Sequence, residues 1–259
     1  MKSKQFLVYA LMSAMLAQAA PCLAQKYRVT DVKRTRILVD KRYDAHPDAA
    51  AEAFIAPYKH KVDSIMSPVV GSTSHYMASH RPESELSNLL CDILVWAGHD
   101  FEETPVFSVY NMGGIRAALA KGAQTVGDIN DMAPFENKIC FLTLTGDKVL
   151  ELFQQIAMRG GEGVSHAVKM VITPDGKLKS ATLNGQPIDP KASYRIATLD
   201  YLAEGNDQLV AFKSGTDVLA PRQRENNVRY IIMNYFREMM AQGKEVESKI
   251  EGRCVVVNE

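Results

Sequence analysis

The chain has 259 residues, with 30 basic and 30 acidic side chains and a formal net charge of zero. This balance gives no electrostatic basis for binding nucleic acid or an anionic membrane, so an anion site would have to be local. The length suits one large domain or two small ones.

Residues 1–24 have the pattern of a secretory signal peptide. Lys2 and Lys4 precede an uncharged apolar stretch at 6–20, and small residues at 22–24 offer a cleavage site. The stretch is shorter than the roughly 20 residues that a transmembrane helix needs, and Pro21 disfavours a lipid anchor at the following cysteine. We therefore predict a secreted or periplasmic protein without a membrane anchor, with a retained helix or a lipid anchor as the alternatives.

The N-terminal half of the chain predicts two helices and up to three strands. Alternating basic and apolar residues at 27–39 predict an edge strand or an extended arm. Apolar spacing near 3.6 residues predicts a helix from Pro47 that Pro57 bends or divides, and a second helix after the acidic start at Glu83. Strands are predicted at 69–77 and, fully buried, at 106–110.

The run Asn111-Met-Gly-Gly-Ile-Arg116 follows the buried strand. Gly113 and Gly114 allow the backbone to approach a ligand and to adopt positive φ. A short helix predicted at 115–120 would direct its N–H groups to the same place, and Asn111 and Arg116 add an amide and a guanidinium that suit phosphate or carboxylate groups. The run is either an anion-binding turn or an ordinary strand-to-helix turn.

The C-terminal half predicts alternating strands and helices. The turn dipeptides Asp175-Gly176 and Asn184-Gly185 predict adjacent β-hairpins. A helix is predicted at 146–157, and a final helix begins at Val228 after an asparagine cap. Further strands are predicted at 139–144, 169–172, 194–199 and 254–257. Without an internal repeat or a Gly/Ser linker, a single mixed α/β domain with an N-terminal extension is the simplest interpretation.

Two loops at strand ends carry aromatic residues whose rings could be exposed for stacking. Phe135 precedes the strand at 139–144, and Tyr201 and Asp207 follow the strand at 194–199. Two rings can sandwich a planar base, and an aspartate accepts hydrogen bonds from paired hydroxyls such as those of a ribose. The alternatives are that Phe135 fills the core and that Asp207 is solvated.

The cysteines and histidines give no pattern of metal ligands. Cys91, Cys140 and Cys254 stand singly in apolar surroundings, which favours buried free thiols, although one disulfide is possible. Asp44-Ala45-His46 is an isolated Asp-x-His, interpreted as a solvated loop. We therefore predict that this chain holds no metal or cofactor of its own.

Several motifs occur in a fixed order along the chain: the upstream segment Arg81 to Asp92, Asn111-Met-Gly-Gly-Ile-Arg116, Pro134-Phe135-Glu-Asn137, Leu144-Thr-Gly146 and Tyr201-Leu-Ala-Glu-Gly-Asn-Asp207. Together they resemble the C-terminal domain of the secreted 5'-nucleotidase family. The resemblance extends over about residues 45–257 and implies a layered sandwich of mixed sheets flanked by helices. After the predicted signal peptide at 1–24, it divides the chain into an arm and linker-like helix at 25–80 and the family domain at 81–257.

The resemblance implies that the domain binds a nucleotide. Phe135 and Tyr201 would be the two rings that clamp the base, and Asp207 would hold the ribose hydroxyls. The family often has Gly-Gly-Asp-Gly where Gly205-Asn-Asp-Gln208 stands in this chain. This departure crowds a loop that faces the ligand.

The resemblance also implies an anion-binding side of the site. Asn111 and Arg116, with Gly113 and Gly114 between them, would contact the base or the phosphate. Arg81 would be a further phosphate contact. The family often has a third glycine at position 112, where this chain has methionine.

Full-length members of the family cleave phosphate esters with two metal ions held by an N-terminal metallophosphatase domain. Too few residues precede the linker-like helix for such a domain, so divalent metals are expected only in a partner. The favoured hypothesis is a secreted nucleotide- or nucleoside-binding subunit, the substrate-recognition part of a split 5'-nucleotidase in nucleotide catabolism. The alternatives are a stand-alone hydrolase of nucleotides or related phosphate esters, and an interaction module that has lost the ligand.

Overall fold

The computed structural model describes residues 28–45 and 47–258. The chain divides into two compact units between Glu52 and Ala53. In the first unit, residues 28–39 are exposed and form neither helix nor strand. The predicted edge strand is therefore wrong, because alternation of side chains does not by itself provide a neighbouring strand for pairing. The predicted signal peptide lies outside the described residues.

Helix α1, Ala49–Met66, agrees with the helix predicted from Pro47. Asp48 caps it, since its carboxylate accepts hydrogen bonds from the backbone N–H groups of Ala50 and Ala51. Pro57 lies inside the helix without dividing it. In the described part of the chain, no helix is both long and apolar enough to cross a membrane.

The largest sheet has five strands and carries the segments that matter most for function. Its order is β10-β4-β9-β2-β5. Strands β2 and β9 are parallel, and the other pairs are antiparallel. The strands are β2 (Phe107–Tyr110), β4 (Ile139–Thr145), β5 (Gly163–Val164), β9 (Ser193–Leu199) and β10 (Thr216–Leu219).

Two smaller sheets complete the strand structure. A four-stranded sheet has the order β11-β6-β7-β8, in which the two predicted hairpins are confirmed and the last strand pairs with β6 in parallel. A two-stranded antiparallel sheet joins β1 and β3. The strands are β1 (Val69–Thr73), β3 (Gly122–Thr125), β6 (Val168–Ile172), β7 (Leu178–Leu183), β8 (Gln186–Pro187) and β11 (Cys254–Val256).

The remaining helices pack on these sheets and confirm the predicted mixed α/β architecture. They are α2 (Glu85–Trp96), α3 (Val126–Met132), α4 (Gly146–Met158), α5 (Asp200–Ala203) and α6 (Val228–Ala241). Helix α2 packs against β2, β5 and α6, whereas α4 lies against β4, β9 and β7. The largest fully buried side chains include five phenyl rings, those of Phe107, Phe141, Phe153, Phe212 and Phe236.

The helix predicted at 115–120 is wrong. Met112–Gly114 form one 3-10 turn, and residues 115–120 form no helix. The backbone N–H of Arg116 donates to the carbonyl of Met132, and the backbones of Leu119 and Met77 pair with each other. These long-range hydrogen bonds take the backbone groups that a helix would have used.

The three described cysteines are free and buried, as predicted. Burial raises the pKa of Cys140 to about 11 and that of Cys254 to about 12. Burial also raises the pKa of Cys91. These thiols therefore stay protonated at neutral pH and behave as small apolar side chains.

Candidate functional site

The topology of the five-stranded sheet brings three predicted motifs to one edge. Because β2 and β9 are parallel, their C-terminal ends lie at the same edge of the sheet. Because β4 is antiparallel to β9, its N-terminal end lies there too, with Ile139 opposite Leu199. The Asn111 turn follows β2, Tyr201 follows β9, and Phe135 precedes β4. Strand pairing therefore assembles a site from segments far apart in sequence.

A cleft of about 220 Å³ lies between these segments. This volume is below the range of pockets for drug-sized ligands. Phe135 is 49% exposed and Tyr201 36% exposed, so both rings are accessible. The lining residues are Asn111, Gly113, Gly114, Phe135, Asn137, Arg159, Tyr201 and Asp207. Six of the eight predicted site residues line the cleft, and two predicted arginines do not.

The two glycines of the turn provide space rather than positive φ, contrary to the expectation from the sequence. Neither Gly113 nor Gly114 has positive φ. A Cβ on Gly114 would lie 2.9 Å from Oδ1 of Asn111, whereas a Cβ on Gly113 would meet nothing closer than Asn111 Nδ2 at 4.0 Å. Gly114 therefore allows the buried Asn111 side chain to pack across the turn, and Gly113 keeps that side of the cleft open.

Asp207 joins the glycine turn to the ring of Tyr201. Its Oδ2 accepts a hydrogen bond from Asn111 Nδ2 at 2.7 Å, and its Oδ1 accepts one from the Tyr201 hydroxyl at 3.2 Å. Burial first, then the negative charge of Asp207 and this hydrogen bond, raise the pKa of Tyr201. Tyr201 therefore remains a donor, and the pair fixes the position of its ring.

The loop that carries Asp207 adopts an unusual backbone. Asp207 has φ of 54° and Gln208 has φ of 63°. Gln208 thus has a side chain in a left-handed conformation that glycine adopts at lower cost.

A guanidinium that the sequence analysis did not single out holds the Phe135 loop. Arg229, in the first turn of α6, donates from Nε to the carbonyl of Ala133 at 3.0 Å. Its Nη2 donates to the carbonyls of Pro134 at 2.6 Å and Phe135 at 3.2 Å. The carbonyl groups of an irregular loop need hydrogen-bond donors. Arg229 supplies these donors directly beside the Phe135 side chain.

The two predicted arginines outside the lining bind the protein itself. The Nη1 of Arg116 is exposed and donates to the carbonyl of Gly113 at 3.2 Å. Arg81 donates from Nε to the carbonyl of Gly161 at 2.8 Å and from Nη2 to Glu162. Both residues lie next to segments that build the cleft wall, but neither lines the cleft.

Asn137 and Arg159 line the cleft, although sequence reasoning did not assign them. Asn137 is two residues after Phe135, at the end of the run Pro134-Phe135-Glu-Asn137. Arg159 is at the end of α4, where it is followed by two glycines and by Glu162. The run Arg159-Gly160-Gly161-Glu162 places a basic and an acidic side chain on either side of two glycines at a helix end. This pattern indicates a structured turn and was the signal in the sequence.

The described residues include no group of three or more His, Cys, Asp or Glu side chains placed to hold a metal ion. His46, part of the isolated Asp-x-His, lies outside the described residues.

Comparison with known proteins identifies the family. The family model for the 5'-nucleotidase C-terminal domain matches residues 69–214, more than half of the chain. Protein UshA of Escherichia coli is 25% identical over 158 residues, which are 60% of this chain and 29% of UshA. The trifunctional nucleotide phosphoesterase protein YfkN of Bacillus subtilis is 24% identical over 245 residues, 86% of this chain and 16% of that protein.

Solved structures share the fold. A 5'-nucleotidase precursor from Thermus thermophilus superposes with a TM-score of 0.70 at 24% identity, over 84% of this chain and 45% of that one. The NAD nucleotidase of Haemophilus influenzae gives a TM-score of 0.61 at 17% identity, over 82% of this chain and 42% of that one. The chain thus spans less than half the length of these relatives. On the family match and the shared fold, this chain belongs to the 5'-nucleotidase C-terminal domain family.

Proposed function

We propose that the cleft binds the base and ribose of a nucleotide or nucleoside. The observation that carries the proposal is the pair of accessible rings, Phe135 and Tyr201, on one small cleft with a carboxylate beside them. Stacking between two aromatic faces is sequence-tolerant and favours a planar base. Asp207 retains lone pairs beyond the two hydrogen bonds it accepts, so it can accept further hydrogen bonds from ribose hydroxyls.

The rings are supported in a way that suits stacking. Arg229 fixes the carbonyls on the Phe135 side, and Asp207 fixes the hydroxyl of Tyr201. A ring whose neighbours are already ordered loses less conformational entropy when a ligand binds. In this proposal the side chains of Arg81 and Arg116 lie outside the base and ribose site and contribute positive charge near its wall.

We further propose that a metallophosphatase on a separate chain hydrolyses the bound nucleotide, and that both proteins are secreted or periplasmic. Support comes from the named relatives, which include a nucleotide phosphoesterase and a 5'-nucleotidase precursor that are much longer than the region they share with this chain. In such a pair this chain would recognise the substrate and the partner would supply the metals.

Calorimetric titration with adenosine and AMP tests the binding proposal. We expect Phe135→Ala to weaken both ligands at least about tenfold, because it removes one stacking face. Phe54→Ala is the matched control, since Phe54 is an exposed phenylalanine on α1 that does not line the cleft. Absence of binding to the unaltered protein, or equal affinity of Phe135→Ala and the unaltered protein, would refute the proposal.

Measuring phosphate release tests whether hydrolysis requires a separate chain. AMP is incubated with the purified chain and Mg²⁺, Mn²⁺ or Zn²⁺, and inorganic phosphate is measured. We expect no release above that of a denatured sample. Sustained release that is lost in Phe135→Ala would instead establish a stand-alone hydrolase.

A further inference from the structure

The end of α4 places two oppositely charged side chains next to the cleft. The backbone N–H of Gly160 donates to Ala157 and that of Gly161 to Ile156, a Schellman ending. Gly160 has φ of 75° and Gly161 of 105°. A Cβ on Gly161 would lie 2.5 Å from the carbonyl oxygen of Pro82, so this tight turn accepts only glycine.

This turn positions Arg159 and Glu162 for a direct ion pair. Arg159 Nε donates to Glu162 Oε1 at 2.6 Å. The Glu162 side chain is 0% exposed, and its Oε2 accepts the backbone N–H of Met112 at 2.6 Å. One buried carboxylate therefore fixes both the Arg159 side chain and the neighbouring glycine turn at Met112.

Glu162 has two cationic partners, not one. Arg81 Nη2 donates to the same oxygen, Oε1, that accepts from Arg159. Glu162 therefore shares its negative charge between two guanidinium groups. Asp207 is a further anion at this wall: its Oδ2 is 3.7 Å from Arg159 Nη2 and already accepts a hydrogen bond from Asn111.

The outer nitrogens of Arg159 are available to a ligand. No hydrogen bond joins its Nη1 or Nη2 to any described residue, and the contact with Asp207 exceeds hydrogen-bond distance. Arg159 is the cation among the described residues that line the cleft. Its side chain is only 19% exposed, so little rotamer freedom remains to be lost when an anion binds.

We propose that Arg159 binds the phosphate of a nucleoside monophosphate in this cleft, and that Glu162 is its positioning residue. The proposal rests on the proposed function, because it assigns the anionic group of the same ligand. Arg159 takes the role that the sequence suggested for Arg116 and Arg81. A guanidinium with two unengaged nitrogens matches phosphate oxygens in a bidentate manner. The cleft therefore favours monophosphates over free nucleosides.

Calorimetric titrations with adenosine, 5'-AMP and 3'-AMP test this assignment. In the unaltered protein we expect one of the two monophosphates to bind about tenfold more tightly than adenosine, and the preferred isomer locates the phosphate on the ribose. In Arg159→Gln we expect this advantage to disappear, because the affinity for the monophosphate falls by a larger factor than the affinity for adenosine. Arg237→Gln, which alters an exposed arginine on α6 outside the cleft, is the control and keeps the full advantage.

The ratio of the monophosphate and adenosine affinities separates a direct contact from a structural role. If Arg159→Gln weakens adenosine and AMP by the same factor, or changes neither, the assignment is overturned. It is also overturned, with the proposed function intact, if the unaltered protein binds adenosine and both monophosphates equally. If none of the three ligands binds, both proposals fail. Arg159→Lys keeps the positive charge but not the bidentate geometry of the guanidinium, and we expect it to restore part of the preference for the monophosphate. It also provides a second variant if Arg159→Gln does not fold.

Discussion

Two ion clusters in this protein have opposite compositions. The Glu162 cluster, beside the cleft, has one buried carboxylate with two arginine partners, Arg81 and Arg159. The Arg253 cluster, at β11, has one buried guanidinium with two carboxylate partners, Asp92 and Glu251. Both remove charge from water, so both depend on hydrogen bonds to offset desolvation.

The clusters differ in how completely the arginine is satisfied. Arg253 is 2% exposed, and all three of its side-chain nitrogens donate to protein oxygens. In the Glu162 cluster, Arg159 donates from Nε alone. A buried arginine whose donors are all engaged in hydrogen bonds holds neighbouring elements of the fold together. An arginine at a cleft whose outer nitrogens make no hydrogen bond can bind a ligand. The first arrangement is structural, and the second is suited to binding.

The largest expected effect is on stability, from Arg253→Met. Removing this guanidinium takes the arginine partner from Asp92 and leaves Glu251 paired with His166 alone. It also removes the donor to the carbonyls of Asn88 and Val164. We expect a loss of about 3–5 kcal/mol in the free energy of unfolding, measured by urea denaturation. Arg237→Met is the matched control and should stay within about 0.5 kcal/mol of the unaltered protein. A loss below about 1 kcal/mol would mean that the Arg253 cluster is not the structural one.

A smaller effect on stability, combined with an effect on binding, is expected for Glu162→Gln. The amide keeps an acceptor for the Met112 N–H but removes the charge shared by two arginines. We expect a loss of about 2 kcal/mol in the free energy of unfolding, and a weaker preference for AMP over adenosine because Arg159 is no longer fixed. Both quantities are measured on the same preparation. An unchanged preference would show that Glu162 does not position Arg159.

The smallest effect is the pH dependence of the Arg253 cluster. Burial alone would raise the pKa of Glu251, but His166 and Arg253 outweigh it and hold the pKa below its usual value. Since the unfolded value is about 4.3, ionised Glu251 stabilises the protein above that pH, and this contribution is lost as the pH falls through the lower folded pKa.

Glu251→Gln should therefore lower the free energy of unfolding by up to about 1 kcal/mol at pH 6. The difference from the unaltered protein should shrink as the pH falls from about 4.3 through the lower folded pKa. Thermal unfolding at a series of pH values from about 6 into the acidic range measures it. A difference that persists unchanged at the acidic end would indicate that lost packing, and not lost charge, causes the effect.

The helices and central strands were predictable because their signals are local. Periodic apolar residues and caps predicted α2, α4 and α6, and the glycine dipeptides predicted the hairpins of the four-stranded sheet. The short helix α3 and strands β3 and β10 were not predicted. At seven residues, α3 is too short for a clear apolar period, and β10 consists of exposed residues without alternation.

The sequence predicted which kinds of side chain form the candidate site, namely aromatic rings, a carboxylate and an arginine. It predicted only some of the individual residues. Phe135, Tyr201 and Asp207 stand in recognisable motifs and line one cleft. Arg229 was not found, because it contacts the Phe135 loop, 94 positions away in sequence. Arg159 was not found, because the cleft that it lines is formed with distant residues such as Asn111 and Tyr201.

The sequence by itself therefore determined a mixed α/β domain with two rings and a carboxylate at strand ends. Only the tertiary structure decided which arginine lines the cleft. The run that ends in Arg116 suggested an anion site, but its backbone pairs with Met132 and leaves Arg116 outside the lining. The Schellman turn of α4 and the buried Glu162 place Arg159 there instead. The bond between Arg159 and Glu162 is local, but Glu162 is itself held by Arg81 and by the backbone N–H of Met112, and local residue patterns do not encode these long-range contacts.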